Sequence, residues 1–257
     1  MTLSAPATFR LMYRNIRVNI DPGNLIILVG IPAMYLVFFG LGVQSMVQQS
    51  AGGSQYISFL TPGIMGFQAV TAGMVGGSML WADKRYGMLA QLLMGPFSRL
   101  QYFLGIIFTT IVFGLAGALV MLAGAFFLTG SLLVTVFGLA AMLGVITVGS
   151  IFFGSLMLLI SAFVKSNNAY TGIQVLMIFI VNFASTVFYP LSSSLPLALK
   201  ILFWINPLTY VVDMTRDAFV GNIQIGDFGI FLLLCVETIA LLVLSTRAYI
   251  RSGVSFE

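Results

Sequence analysis

Hydrophobic residues run along this chain in long blocks separated by short polar punctuation. Nearly uncharged apolar stretches occupy about 25–46, 57–80, 103–128, 134–163, 170–189 and 228–248. Each approaches or exceeds the roughly 20 residues that an α-helix needs to cross the hydrocarbon core of a bilayer. The pattern therefore predicts an all-α integral membrane protein with six transmembrane helices. The run over 134–163 is longer than a bilayer requires, so it is expected to tilt, to kink near Gly144 to Gly154, or to extend into water. Residues 195–205 are apolar but too short to cross, and they read as an interfacial or re-entrant piece.

Ahead of the first run, residues 5–20 place Phe9, Met12, Tyr13, Ile16 and Ile20 on one helical stripe and Arg10, Arg14 and Arg17 on another face. Such a helix suits the membrane surface, its apolar stripe sunk at the headgroup boundary and its arginines meeting anionic lipid. A basic flank that only sets orientation is the alternative. Asp21-Pro22-Gly23 then breaks the helix. The first apolar run is too long for a signal-peptide core and lacks a small-residue cleavage site, so it is expected to be retained.

The connections differ in size. Residues 129–133 make a bare turn and 47–56 a short Gln, Ser and Gly stretch, whereas 190–227 has room for two short helices. Asn206 followed by Pro207 supplies a helix cap and a first-turn proline, and Ile205 with Tyr210 has the spacing of a hydrophobic staple. A helix from about Pro207 to Val220 is predicted there. Its Asp213, Arg216 and Asp217 stand three and four residues apart, within pairing reach on a helix.

Composition narrows the class. Of 257 residues, 60% are hydrophobic and 7% charged, against roughly 25% charged in soluble domains. Six spans leave no room for a further soluble domain, so residues 1–257 are read as one membrane domain. Histidine is absent and Cys235 is the single cysteine, which leaves little material for a metal centre, and no metal is expected. No Gly-Lys pair occurs, so no P-loop is present. A chain without its own nucleotide site, and with few acids, is not expected to be an enzyme.

Charge is informative by position. With both termini in the cytoplasm, Arg10, Arg14, Arg17, Lys84, Arg85, Arg99, Lys165, Arg247 and Arg251 fall inside, and only Lys200 and Arg216 outside. That nine-to-two division favours this orientation over its reverse, because lysine and arginine resist translocation. The basic residues thus mark loops, and nucleic acid is not an expected partner.

The segment Trp81 to Tyr102 holds the densest pattern between spans. Asp83-Lys84-Arg85-Tyr86-Gly87 precedes Met88-Leu89-Ala90-Gln91-Leu92-Leu93, and Gly95-Pro96-Phe97-Ser98-Arg99 follows. Charge, an apolar stripe and a proline stop suggest a short docking helix, although an ordinary interfacial loop is also compatible. Asp83, Arg85, Gly87, Leu89, Gln91, Leu92, Leu93, Pro96, Ser98 and Arg99 resemble the loop after the second span of type-2 ATP-binding-cassette exporter permeases. Met88 stands where threonine is usual, and Ala90 where an acid is usual. Asn206-Pro207-Leu208-Thr209-Tyr210-Val211-Val212-Asp213, with Arg216 beyond, looks like the signature before the last span of such permeases. The nearest likeness is to the drug and antibiotic branch of the daunorubicin-resistance type.

The resemblance implies a permease dimer, homo- or heteromeric, in a prokaryotic cytoplasmic membrane, seated on two P-loop ATPase subunits that carry the ATP and magnesium. The residues that couple to the ATPase would be Asp83, Lys84, Arg85, Tyr86, Gly87, Leu89, Leu92, Leu93 and Pro96. An amphipathic substrate, a drug, lipid or glycolipid, would pass along the dimer interface between the second and fifth spans. There the sequence offers Gln68, Thr71, Phe179, Asn182, Phe183 and Thr186 as lining. Interhelical packing explains the same residues, and Gly73-x-x-x-Gly77 likewise suits close helix approach. Asn206, Pro207, Tyr210, Asp213 and Arg216 would form the external signature helix. Glu237 lies near the middle of the last span, where an acid marks either a functional site or a hydrogen-bonded structural group. It motivates a competing reading as a proton-coupled carrier, and a membrane scaffold without transport is a further one.

Overall fold

The computed structural model describes residues 5–51, 56–130, 134–192 and 195–251, with side chains described for 7–43 of the first stretch. The chain folds as helices α1 (Ala5–Asn19), α2 (Pro22–Leu25), a π turn (Ile26–Gly30), α3 (Ile31–Ala51), α4 (Tyr56–Arg85), α5 (Met88–Met94) and α6 (Arg99–Thr129). These are followed by α7 (Val136–Phe163), α8 (Asn167–Phe183), α9 (Leu197–Ile205), α10 (Pro207–Val220) and α11 (Ile225–Arg251). The turns expected over 47–56 and 129–133 lie partly outside the described residues.

Among the described residues five helices are long and apolar enough to cross a bilayer, Pro22–Val43, α4, α6, α7 and α11, and the bent pair α9–α10 would make a sixth if it counts as one broken span. α8 has 17 residues, about 25 Å at 1.5 Å per residue, the short end of the spanning range. It stops at Phe183 rather than continuing to 189 as the apolar run suggested. The cause is distant in sequence. Asn206 Nδ2 donates to the carbonyls of Val181 and Ala184 at 2.6 and 2.7 Å, taking over acceptors that a further turn would have used.

α4 is the axis of the bundle: 94% of its apolar window is buried, against 17% for α11. Small residues make this possible. A Cβ on Gly73 would lie 2.6 Å from the Phe153 carbonyl carbon, and one on Gly76 2.5 Å from Thr110 Oγ1. α7 and α6 therefore approach α4 nearly backbone to side chain, the close packing expected of small-residue faces in lipid. The Gly73 and Gly77 pair serves α4–α7 contact, because Gly77 faces Met157 and the Tyr170 hydroxyl. α7 runs as one unbroken helix, with Gly149 and Gly154 turned toward neighbouring helices rather than forming a kink.

Between α8 and α11 the two short helices form as the residue pattern predicts. Asn206 Oδ1 accepts from the Leu208 amide and Pro207 opens α10. α9 and α10 meet at 81°. α9 buries only Phe203, whereas α10 sinks Leu208, Val211, Val212, Thr215 and Ala218 into the corner between α4 and α7. α1 packs Thr8, Leu11 and Asn15 on α6, with Leu11 against Gly105. Its Phe9, Tyr13 and Val18 face outward, an apolar side of the kind that an amphipathic surface helix presents.

Candidate functional site

Two polar clusters sit at opposite ends of this bundle. At the end that carries α5, Arg14 clamps Asp83 through two hydrogen bonds of 3.0 Å, Nη1 to Oδ2 and Nη2 to Oδ1. The Tyr102 hydroxyl donates to the same Oδ2 at 2.8 Å, and Tyr249 stacks on the Tyr102 ring at 6.1 Å. Hydrogen bonding to Asp83 pushes the Arg14 guanidinium above its ordinary value. One carboxylate thereby joins α1, α4 and α6, and the tyrosine stack adds α11.

The neighbouring Lys84 Nζ donates to the Ser161 and Ala162 carbonyls, both at 3.2 Å. A cation on the last carbonyls of α7 answers the negative end of that helix. Trp81 stacks on Tyr170 at 5.1 Å and donates Nε1–H to Asn167 Oδ1, fastening the start of α8. Asp83 and Lys84, grouped in the sequence with the residues expected to touch an ATPase, are thus occupied within the chain. They end α4 instead of lying in a loop.

Beyond Arg85 the chain turns at Gly87, whose φ of 72° is the left-handed conformation that glycine adopts without cost. α5 follows, and its only buried residue is Leu89. Leu92 and Leu93 pack partly beside Leu89 against the same apolar cluster. Arg85, Tyr86, Met88, Ala90, Gln91, Met94 and Pro96 remain exposed, Tyr86 and Met94 to 77% and 81%. Ser98 then caps α6 reciprocally with Gln101, which fixes the exit from the turn. α5 is thus a short helix pinned on one side by leucines, with Met88 and Met94 on its exposed side.

At the far end, Arg216 is the hub. Its Nη1 meets Asp213 Oδ1 at 2.9 Å, its Nη2 donates to the Thr186 carbonyl at 2.9 Å, and its Cζ sits 3.9 Å above the Phe59 ring. Thr186 Oγ1 donates to Asp213 at 2.6 Å, and the Tyr56 hydroxyl to the Phe188 carbonyl at 2.7 Å. Together with Asn206 these contacts lock the irregular segment 184–190 between α4 and α10. Tyr210 donates to the Trp204 carbonyl across the α9–α10 bend.

The residues proposed from sequence for a substrate route are divided by the fold. Gln68 and Thr71 are fully buried: Thr71 Oγ1 donates to Gln68 Oε1 at 2.9 Å, and Gln68 lies on Gly117 of α6. Asn182 is fully buried on α8, its amide without a hydrogen-bond partner among the described residues. Phe179 and Phe183 are 53% and 39% exposed, stacked at 6.1 Å, and continue to Phe188 at 5.4 Å. The open face of α8 is therefore aromatic and aliphatic, while the polar candidates point inward.

Glu237 is half-buried on α11 and makes no hydrogen bond or ion pair among the described residues; Tyr210 lies within its electrostatic reach. Among the described residues no group of histidine, cysteine or acids is arranged to hold a metal.

Sequence reasoning missed Arg14, Tyr102 and Phe59. Arg14 reads as a lipid-facing arginine, yet it follows Leu11 by three residues and precedes the buried Asn15, which puts it beside the stripe that packs on α6. Tyr102 and Phe59 carry no local signal at all.

None of the curated proteins compared with the chain matches it. One family model, described as ABC-2 type transporter, matches residues 7–220, a stretch from α1 through α10 that takes in both clusters. The chain accordingly belongs to the ABC-2 type transporter family, multi-pass membrane components that in general associate with a separate ATP-binding subunit.

Proposed function

We propose that this chain is the permease subunit of an ATP-driven exporter of the drug and antibiotic type, moving an amphipathic substrate out of the cytoplasm or the inner leaflet. Two copies of a P-loop ATPase and a second permease, identical or homologous, complete it in a prokaryotic cytoplasmic membrane. Both termini then lie in the cytoplasm, with α5 docked in the ATPase. ATP and magnesium bind only on that partner.

The observation that carries this reading is the mounting of α5. It is short, and it follows a brace that ties α1, α4, α6 and α11 together through Asp83 and Tyr102. A displacement of α5 by closing ATPases would be passed to several helices at once. Because packed helices switch between discrete arrangements rather than deforming continuously, such a push shifts the population between two bundle states. The open aromatic face of α8 supports a route for substrates with ring or acyl surfaces, between the two permeases.

Cross-linking tests it. With Cys235→Ser as background, Met94→Cys should form a disulfide or a short bridged adduct with a cysteine in the ATPase, and ATP should change its yield. An adduct-free Met94→Cys, in a complex that still hydrolyses ATP, would remove α5 as the docking element.

A further inference from the structure

Between α7, α10 and α11, at the end of the bundle opposite α5, lies a cavity of about 200 Å³. Phe137, Gly144, Met214, Ala218 and Phe228 line it, and among the described residues Asp227 is its one polar lining residue. A Cβ on Gly144 would meet nothing within 4 Å. The void therefore reaches from Phe137 along two turns of α7, about 10 Å. It exceeds the ~150 Å³ that accommodates a benzene ring in engineered apolar cavities.

Its rim has the opposite character. Asp227 is half-buried and accepts from the Gln224 amide at 2.6 Å. Asp217, at the end of α10, feels the charges of both Asp227 and Arg216. Neither acid is ion-paired among the described residues. The mouth also presents two exposed rings, Phe137 at 71% and Phe228 at 64%, and aromatic faces attract ammonium groups. A carboxylate and aromatic rings over an apolar well are complementary to one kind of molecule.

We infer that this cavity binds a small amphiphilic monocation, its apolar body against Gly144 and Met214 and its ammonium group at Asp227. The site is separate from the open face of α8. It is predicted to fill without nucleotide or ATPase, so its failure would leave the export reading untouched.

The test is saturation binding of radiolabelled octylammonium to the purified full-length chain in nanodiscs, with octanol and octanoate as competitors of matched length. One saturable site, displaced by unlabelled octylammonium but not by octanoate and only weakly by octanol, is expected. Asp227→Asn keeps an acceptor for the Gln224 amide and should weaken binding about tenfold. Gly144→Leu, which fills the well, should abolish it. If Gly144→Leu does not fold, Asp227→Asn and the competitor series decide. No saturable site, equal displacement by all three compounds, or unchanged affinity in Asp227→Asn would overturn the inference.

Discussion

Arg14 on α1 and Asp83 in the last turn of α4 face each other as a two-pronged pair, both contacts at 3.0 Å, with side chains 26% and 15% exposed. Residues 69 positions apart thereby fix α1 to the last turn of α4 and to the start of the α5 turn. Hydrogen bonds to charged groups contribute about 1.5–3 kcal/mol each when little solvent competes. Arg14→Ala and Asp83→Ala are each expected to lower the unfolding free energy by about 1.5–3 kcal/mol. The double variant should cost clearly less than the sum, since both remove one interaction. Denaturation of the four proteins in the same detergent reads this directly, and additive costs would mean that the two side chains do not communicate. Arg14→Lys should recover only part, because an ammonium cannot reproduce the two-pronged geometry.

The α4–α7 contact predicts a contrast between glycines. Gly73→Val would force a side chain against the Phe153 backbone, already 2.6 Å from the Cβ position, and should destabilise by about 1–3 kcal/mol or prevent assembly. Gly172 on α8 meets nothing within 4 Å. Gly172→Ala should be neutral or stabilise by about 0.5–1 kcal/mol, because alanine loses less backbone freedom in a helix. Melting temperatures of the two variants in one preparation would show the difference, and equal effects would dismiss the packing argument.

Asn206 serves three groups, the carbonyls of Val181 and Ala184 and the amide of Leu208. Asn206→Ala leaves buried backbone groups unpaired at about 1–3 kcal/mol, while Asn206→Ser keeps an N-cap acceptor and should retain part of that. Hydrogen exchange is the sharper check. Faster exchange in the last turn of α8 as well as the first turn of α10 is expected for Asn206→Ala, and an effect confined to α10 would reduce Asn206 to an ordinary cap.

Glu237 offers a test between energy sources. An ATP-driven permease needs no proton relay, so Glu237→Gln is expected to preserve export and its pH profile in the assembled complex. Loss of export, or a profile made insensitive to pH, in a normally assembled variant would restore the proton-coupled reading.

Most of the helices were legible because their signals are local. The cap at Asn206, Pro207 at the helix start and the break at Asp21-Pro22-Gly23 each act within a few residues, and α10 and the end of α1 fall where those residues predict. Apolar length likewise located the spanning helices. The end of α8 was not legible, because Asn206 terminates it from 22 residues away and the intervening sequence still reads as apolar. The site divided in the same manner. Exposure of α5 followed from its composition, whereas the inward turn of Asp83 and Lys84 depends on partners in α1, α6 and α7 that no spacing within the loop reveals. Polarity was also a poor guide to Gln68 and Thr71: they hydrogen-bond each other against Gly117, and a polar side chain in a bundle is as readily a packing element as a lining one.

Purification of the tagged permease in mild detergent, with mass spectrometry of the proteins that accompany it and an ATPase assay on the product, tests dependence on a separate ATPase most directly. A P-loop ATPase recovered in stoichiometric amount, with vanadate-sensitive hydrolysis, is the expected result. Recovery of the permease alone, inactive toward ATP under conditions that preserve other transporter complexes, would contradict it.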